Sequence, residues 1–343
     1  RYTMRYYSFT RTSILLFTGL ICMSAGLSQA ADPWVEYKGT EGPGKGKHIV
    51  LISGDEEYRS EEALPMLGQI LAIRHGFKCT VLFSINPKDG TIDPTNQTNI
   101  PGIEKLAGAD LMILALRFRE LPDSDMKHFD QYVNSGKPII GLRTATHSFS
   151  YSRNKQSPFA RYSFNNGDWK GGFGQQVLGD TWISHHGYHG RESTRGVINP
   201  KNAKHPILTG VDDIWGPTDV YGIRNLLPTD NILVRGQVLT GMKPSDKPVA
   251  GQKNQPMMPL VWTREYTGTS GKTSRIVCTT MGASVDFESA GLRRAIVNAS
   301  YWCTGMEKQI SPTSSVDYIR EYKPTFFGFG KYTRGVKPSD HAL

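Results

Sequence analysis

Between His48 and Leu142, short continuous apolar runs alternate with stretches whose apolar positions recur every three or four residues. His48–Ser53 is apolar without a break, as a strand buried on both faces requires. Ser60 then caps a predicted helix with Leu64, Leu67, Ile70 and Leu71 on one face, and Gly76 ends it. Phe77–Phe83 predicts a second strand, Ile103–Leu106 a short helix, and Asp110–Leu116 a third strand. Asp123 caps a second long helix, with Met126, Phe129, Tyr132 and Val133 together, and Pro138–Leu142 is a fourth strand. Strands alternating with helices predict βαβ units and a mostly parallel sheet. The fourth strand runs into a sharp turn at Arg143–Thr146. In an α/β protein this is where a nucleophile elbow sits, yet the position carries Arg143 and not Ser or Cys.

Beyond the elbow the pattern loosens. Residues 149–174 are aromatic, Asn/Gly-rich and non-periodic, the mark of a functional loop or cover. Thr181–Ser184, Val197–Ile198, Trp215–Tyr221, Ile232–Val238, Pro259–Tyr266 and Arg275–Thr280 read as further strands. Ser289–Thr304 reads as a closing amphipathic helix through Leu292, Ile296, Ala299 and Trp302. The resulting plan is a leader (1–30), a linker (31–47), one α/β domain (48–305) and a tail (306–343) draped over it by its aromatics.

The leader has Arg1, Arg5 and Arg11 ahead of an apolar stretch, Ile14–Leu27, and a small-residue site, Ser28-Gln29-Ala30. This predicts a signal peptide cleaved near Ala30–Ala31, hence a secreted or periplasmic protein without stable membrane insertion afterwards; a retained anchor is the alternative. Ile21 before Cys22 speaks against lipidation. The formal charge is +9, and leader removal lowers it. The basic residues are scattered, which argues against nucleic-acid binding. Cys79, Cys278 and Cys303 lack metal spacing and read as small buried hydrophobes, with no disulfide assignable among them. Gly42-Pro-Gly-Lys-Gly-Lys precedes the first strand and lacks a phosphate loop's Lys-Ser/Thr ending, so it reads as linker.

Converging strand ends should bring Asp55, Glu56, Tyr58 and Arg59, then Arg117 and Arg119, then Arg143 and His147, around one crevice. Arginines gathered there suit an anionic or polyhydroxylated ligand. Equally, they can pair with Asp55, Glu56 and Glu120 as a structural network. His185, His186 and His189 form the sharpest cluster, with Asp219 and Tyr221 as partners. It suits hydrogen bonding to sugar hydroxyls, general-base work, or a metal. Gly187 breaks helix and no Glu stands inside the cluster, unlike a zinc-protease helix. Trp169, Tyr188 and Trp215 are either stacking platforms or core. Cys278 sits in a buried strand and is no nucleophile candidate.

Several pieces, in this order, resemble the trehalose-utilisation (ThuA-like) family of the class I glutamine-amidotransferase-like superfold. They are Ser53-Gly-Asp-Glu-Glu-Tyr-Arg, Gly141-Leu-Arg-Thr-Ala-Thr-His, His205-Pro-Ile-Leu-Thr-Gly, Pro217-Thr-Asp-Val-Tyr, Pro259-Leu-Val-Trp-Thr, Arg275-Ile-Val, Met281-Gly-Ala-Ser and Ala299-Ser-Tyr-Trp-Cys-Thr-Gly. The resemblance runs from Ile49 to about Gly305. The secreted, aromatic-tailed form resembles a planctomycete-type member. Arg143 stands where relatives often carry His, Asp219-Val-Tyr replaces an acidic pair before Tyr, and His147 follows the elbow.

The resemblance implies a flavodoxin-like three-layer sandwich and carbohydrate utilisation, with 3-keto-glycosides as the ligand class. The superfold's Cys aligns with Arg143, so glutaminase chemistry should be absent. The resulting expectation is acid/base chemistry on a small carbohydrate, with hydrolase, lyase and isomerase reactions all open. His147 or His186 would be the base, and Arg143 with Arg117 would hold an oxyanion or ketone oxygen. Asp55, Tyr58, Arg59, Arg117, His185, His189, Asp219 and Tyr221 would bind substrate. No cofactor is expected, and a homo-oligomer is compatible. The alternatives are a non-catalytic sugar-binding module and a zinc-dependent hydrolase using His185, His186 and His189.

Overall fold

In the computed structural model, β2 (His48–Gly54) lies between β3 (Lys78–Phe83) and β4 (Leu111–Leu116), parallel to both. Its side chains alternate between two cores. Ile49 and Leu51 join Leu64, Leu67 and Ile70 of α1 (Ser60–Ile73) and Leu292 and Ile296 of α3 (Ala290–Cys303). Val50 and Ile52 join Met126, Phe129 and Val133 of α2 (Asp123–Val133). Helices therefore cover both faces, which is why these strands are apolar at every position. The structure describes residues 1–8 and 31–343. Residues 1–8 carry no regular secondary structure; most of the expected leader, with its cleavage site, lies outside the described residues. No described helix is long and apolar enough to cross a membrane.

One ten-stranded sheet runs in the order β1-β3-β2-β4-β5-β10-β9-β8-β6-β7. The added strands are β1 (Trp34–Tyr37), β5 (Ile139–Leu142), β6 (Thr194–Ile198), β7 (Trp215–Gly216), β8 (Asn231–Val238), β9 (Met258–Thr267) and β10 (Thr273–Thr279). The expectation of a mostly parallel sheet is corrected. Pairings within β3-β2-β4-β5-β10 are parallel, but the other five of the nine are antiparallel. Connection length explains the switch. A parallel partner needs a crossover of a dozen or more residues, as the α1 and α2 segments provide. Only Gly268–Lys272 joins β9 to β10, enough for an antiparallel return and nothing else.

Local differences follow the same logic. β1, inside the expected linker, pairs with β3 through Val35 and Tyr37, whose inward side chains alternate with Trp34 and Glu36. Arg59, in left-handed conformation, takes the cap position before α1. Ser60 starts the helix and spends its hydroxyl on Ser53 (2.8 Å). Pro122, not Asp123, precedes α2. Residues 181–184 form no strand, and of the expected 215–221 strand only Trp215–Gly216 joins the sheet, with Tyr221 in an isolated bridge to His185. The three described cysteines are free and buried.

Candidate functional site

Three of the four non-glycine residues with positive φ among the described residues follow strands of the parallel half. Arg59 (φ 60) follows β2, Phe118 (φ 51) follows β4, and Arg143 (φ 39) follows β5. A left-handed side chain costs roughly 1–3 kcal/mol, and such strain collects where geometry is fixed for a purpose.

Arg143 is fully buried and spends its fork inside the protein. Nη1 donates to the carbonyls of Asp219 (2.9 Å) and Thr280 (2.7 Å). Nη2 donates to Tyr58 Oη (3.1 Å) and Asp219 Oδ1 (3.2 Å). The guanidinium carbon lies 4.2 Å from the Tyr58 ring centre and 4.4 Å from that of Tyr221, a cation between two π-faces. Little of it is left for a ligand, so its observed role is to seat Asp219.

Asp219 gathers three cationic or donor groups. Besides Arg143, His185 Nδ1 lies 2.7 Å from Oδ2 and His189 Nδ1 lies 3.1 Å from Oδ1. Burial pushes this carboxyl up, but the hydrogen bonds from His185 and His189 and the Arg143 charge outweigh it and hold it well below the usual carboxylate range. An ionised carboxylate only accepts, so His185 must carry its proton on Nδ1. His185 Nε2 has no hydrogen-bond partner among the described residues, and the ring is exposed.

His189 is held at both ends, by Asp219 at Nδ1 and by Glu57 at Nε2 (3.3 Å). The hydrogen bonds to Asp219 and then Glu57 raise its pKa to about 9, making it an imidazolium at neutral pH. Glu57 also meets Arg117 Nε (3.5 Å). A line of alternating charge thus runs Arg117, Glu57, His189, Asp219, Arg143, linking the ends of β4, β2 and β5 with two loops. Glu56 lies alongside, bound by Arg117 and Arg119, each at 2.5 Å. Asp55 orders the turn, taking the Thr144 hydroxyl (2.6 Å) and the amides of Glu57 (2.7 Å) and Tyr58 (3.0 Å).

The remaining expected site residues take other places. His147 is buried with Nδ1 3.1 Å from Thr146 Oγ1, packed against Phe118, Trp182 and Tyr221. Burial, then the Arg117 and Arg143 charges, push its pKa well down, so it stays neutral. His186 turns away from Asp219 and donates from Nε2 to the Lys253 carbonyl (2.6 Å). Arg59 donates to the Gly328 carbonyl and supports the tail. Trp169 packs with Tyr162, and Trp215 Nε1 donates to Ser193 Oγ (3.2 Å). Tyr188 is exposed, with Lys253 Nζ 3.9 Å from its ring centre.

Sequence reasoning passed over four groups. Glu57 stood in a run of acids with nothing to single it out before its direction was known. Trp182, 5.7 Å from both His147 and His185 by ring centres, was hidden by a strand reading of residues 181–184. Phe327 and Phe329 arrive from the far end of the chain. Phe327 packs on Tyr58 (5.5 Å) and His189 (5.3 Å), and Phe329 lies over Arg117 (4.9 Å). The tail's aromatics were the only signal for them.

His185, His189 and Asp219 offer ligand atoms within 4.8 Å of one another, a donor set a divalent cation can use. As the groups stand, Nδ1 of each histidine faces the carboxylate as a proton donor, and Arg143 already neutralises it.

A family model described as "Trehalose utilisation" matches residues 50–303. No curated protein matches the sequence. Among solved structures, a ThuA-like protein from Parabacteroides merdae is 14% identical, with 76% of this chain and 90% of that one covered at a TM-score of 0.48. A ThuA-like protein from Bacteroides uniformis is also 14% identical, with coverages of 80% and 98% and a TM-score of 0.47.

Proposed function

The chain belongs to the ThuA (trehalose utilisation) family over residues 50–303, and from that premise we propose that it serves carbohydrate utilisation through acid/base chemistry at the Asp219–His185 pair. The observation that carries this is the free, exposed Nε2 of a histidine whose Nδ1 is fixed by a buried carboxylate. Asp219 selects the tautomer whose Nε2 lone pair points outward. That nitrogen takes a proton from a sugar hydroxyl, an acidified C–H beside a ketone, or water, and Asp219 stabilises the imidazolium that forms. Arg143 is a positioning residue that holds Asp219 ionised and in place. The base is therefore His185, in place of His147, which is buried, and His186, whose Nε2 is occupied.

No thiol stands at the elbow, so acyl transfer by a cysteine is not part of the reading. The five parallel strands run in the order of a flavodoxin-like core, counting 2-1-3-4-5 along the chain, and we read the antiparallel edge as an addition to it. A 3-keto-glycoside fits the chemistry, because a C3 ketone acidifies the neighbouring C–H. The basic and apolar leader supports a reaction outside the cytoplasm.

The test is turnover of 3-keto-trehalose by wild type and by His185→Gln, with folding checked by urea midpoint. Loss of about a hundredfold or more in kcat is expected from removing a positioned base; unchanged turnover would overturn the assignment. A zinc hydrolase is favoured by one observation, the compact His185/His189/Asp219 donor set. Elemental analysis separates the two: stoichiometric metal bound through the histidines replaces the acid/base reading, and its absence leaves that reading in place.

A further inference from the structure

The family match ends at residue 303, yet the chain continues to residue 343 and returns over α3 and α1 to the candidate site. The return is fixed by specific bonds. Thr325 gives its amide (2.8 Å) and hydroxyl (2.6 Å) to Glu62, and Gly328 N donates to the Glu57 carbonyl (2.8 Å). The buried Arg59 donates to the Gly328 carbonyl. These bonds grip the backbone on both sides of Phe327 and leave the tail's three phenylalanines unequal. Phe327 is buried against Tyr58 and His189, whereas Phe326 is 47% exposed and Phe329 is 59% exposed. Phe326 stacks on Phe327 at 4.2 Å, and Phe329 lies over the Arg117 guanidinium.

An exposed ring gripped from below is expensive to leave in water and has little freedom to bury itself elsewhere. Its place explains it. Phe329 rests on Arg117, one end of the charge line that leads through Glu57 and His189 to Asp219. A flat apolar face beside a line of hydrogen-bonding groups matches a pyranose ring, which shows axial C–H bonds on one face and hydroxyls around its rim. We propose that the tail, through Phe329, forms a stacking subsite for a pyranose ring of the ligand handled by His185. The subsite rests on the carbohydrate reading above and adds the residues that select for a ring with an apolar face. Phe327 is its anchor and also packs His189 into position.

The experiment is calorimetric titration of the full chain with trehalose, for wild type, Phe329→Ala, Phe329→Trp and, as a control at the far end of α1, the exposed Ile73→Ala. Loss of one aromatic stacking contact weakens binding about five- to tenfold. Phe329→Ala should show that loss, Phe329→Trp should bind at least as tightly as wild type, and Ile73→Ala should match wild type. Because Phe329 is exposed, the urea midpoint should not move. Wild-type affinity in Phe329→Ala overturns the subsite while leaving the centre at His185 untouched. If wild type binds neither trehalose nor 3-keto-trehalose, the carbohydrate reading itself fails and the subsite falls with it.

Discussion

The double grip on His189 makes a prediction that can be worked through in full. Its ring is bonded to Asp219 at 3.1 Å and to Glu57 at 3.3 Å, and its pKa rises from 6.5 to about 9. At about 1.36 kcal/mol per pKa unit, the preference for the protonated ring is about 3.4 kcal/mol. The side chain is 35% exposed, so solvent screening lowers the realised contribution to about 1–2 kcal/mol. The folded pKa is the higher one, so this stability is fully present below about pH 6.5 and drains away as pH rises through about 9. Urea unfolding followed from pH 6 to pH 9.5 should therefore show a decline of about 1–2 kcal/mol from this group. Glu57→Gln removes one carboxylate without changing shape. It should move the His189 midpoint down toward the ordinary range and flatten the decline. Proton–nitrogen correlation spectra of the histidine rings read the midpoint directly. A wild-type His189 titrating near 6.5, or one unmoved by Glu57→Gln, would refute the charge line as drawn.

Arg143→Met should cost about 3–5 kcal/mol in urea unfolding, because buried Asp219 loses the guanidinium that bonds both its carboxylate and its carbonyl. Arg143→Lys should recover only part of that, since one ammonium cannot reach the carbonyls of Asp219 and Thr280 and the Tyr58 hydroxyl together. Gly174→Ala should lower the thermal midpoint by several degrees, as a Cβ there would run into the Thr146 carbonyl just after the elbow. Cys79, Cys278 and Cys303 should stay unlabelled by a thiol reagent in native protein and react once it is unfolded, because burial pushes all three thiols up.

The parallel half was legible because each of its strands is apolar throughout, and only burial on both faces produces that signature. The antiparallel half was less legible. The strands β8, β9 and β10 were visible, but their direction depends on loop length and pairing partner, which residue type does not encode. The strand ends pointed to Arg117, Arg143, Asp55 and Glu56 as neighbours of one another, while Glu57 had nothing to mark it out. What each arginine does was not readable. Arg143 looks ligand-facing in sequence, and its burial emerges only when Tyr58, Tyr221, Asp219 and Thr280 close around it. Adjacent histidines posed the same difficulty. His185 and His186 differ by one position, and the turn that sends one to Asp219 and the other to Lys253 is set by bonds to Val220 and Tyr221.

The line from Arg117 to Arg143 also governs how this sequence can drift. Each member neutralises the next, so losing any one strands a neighbour's charge. Replacement singly should be purged, whereas a swap of two adjoining members in one step should survive. Relatives ought then to keep or trade Glu57, His189, Asp219 and Arg143 as sets, and double-substitution cycles across adjoining pairs should be strongly non-additive.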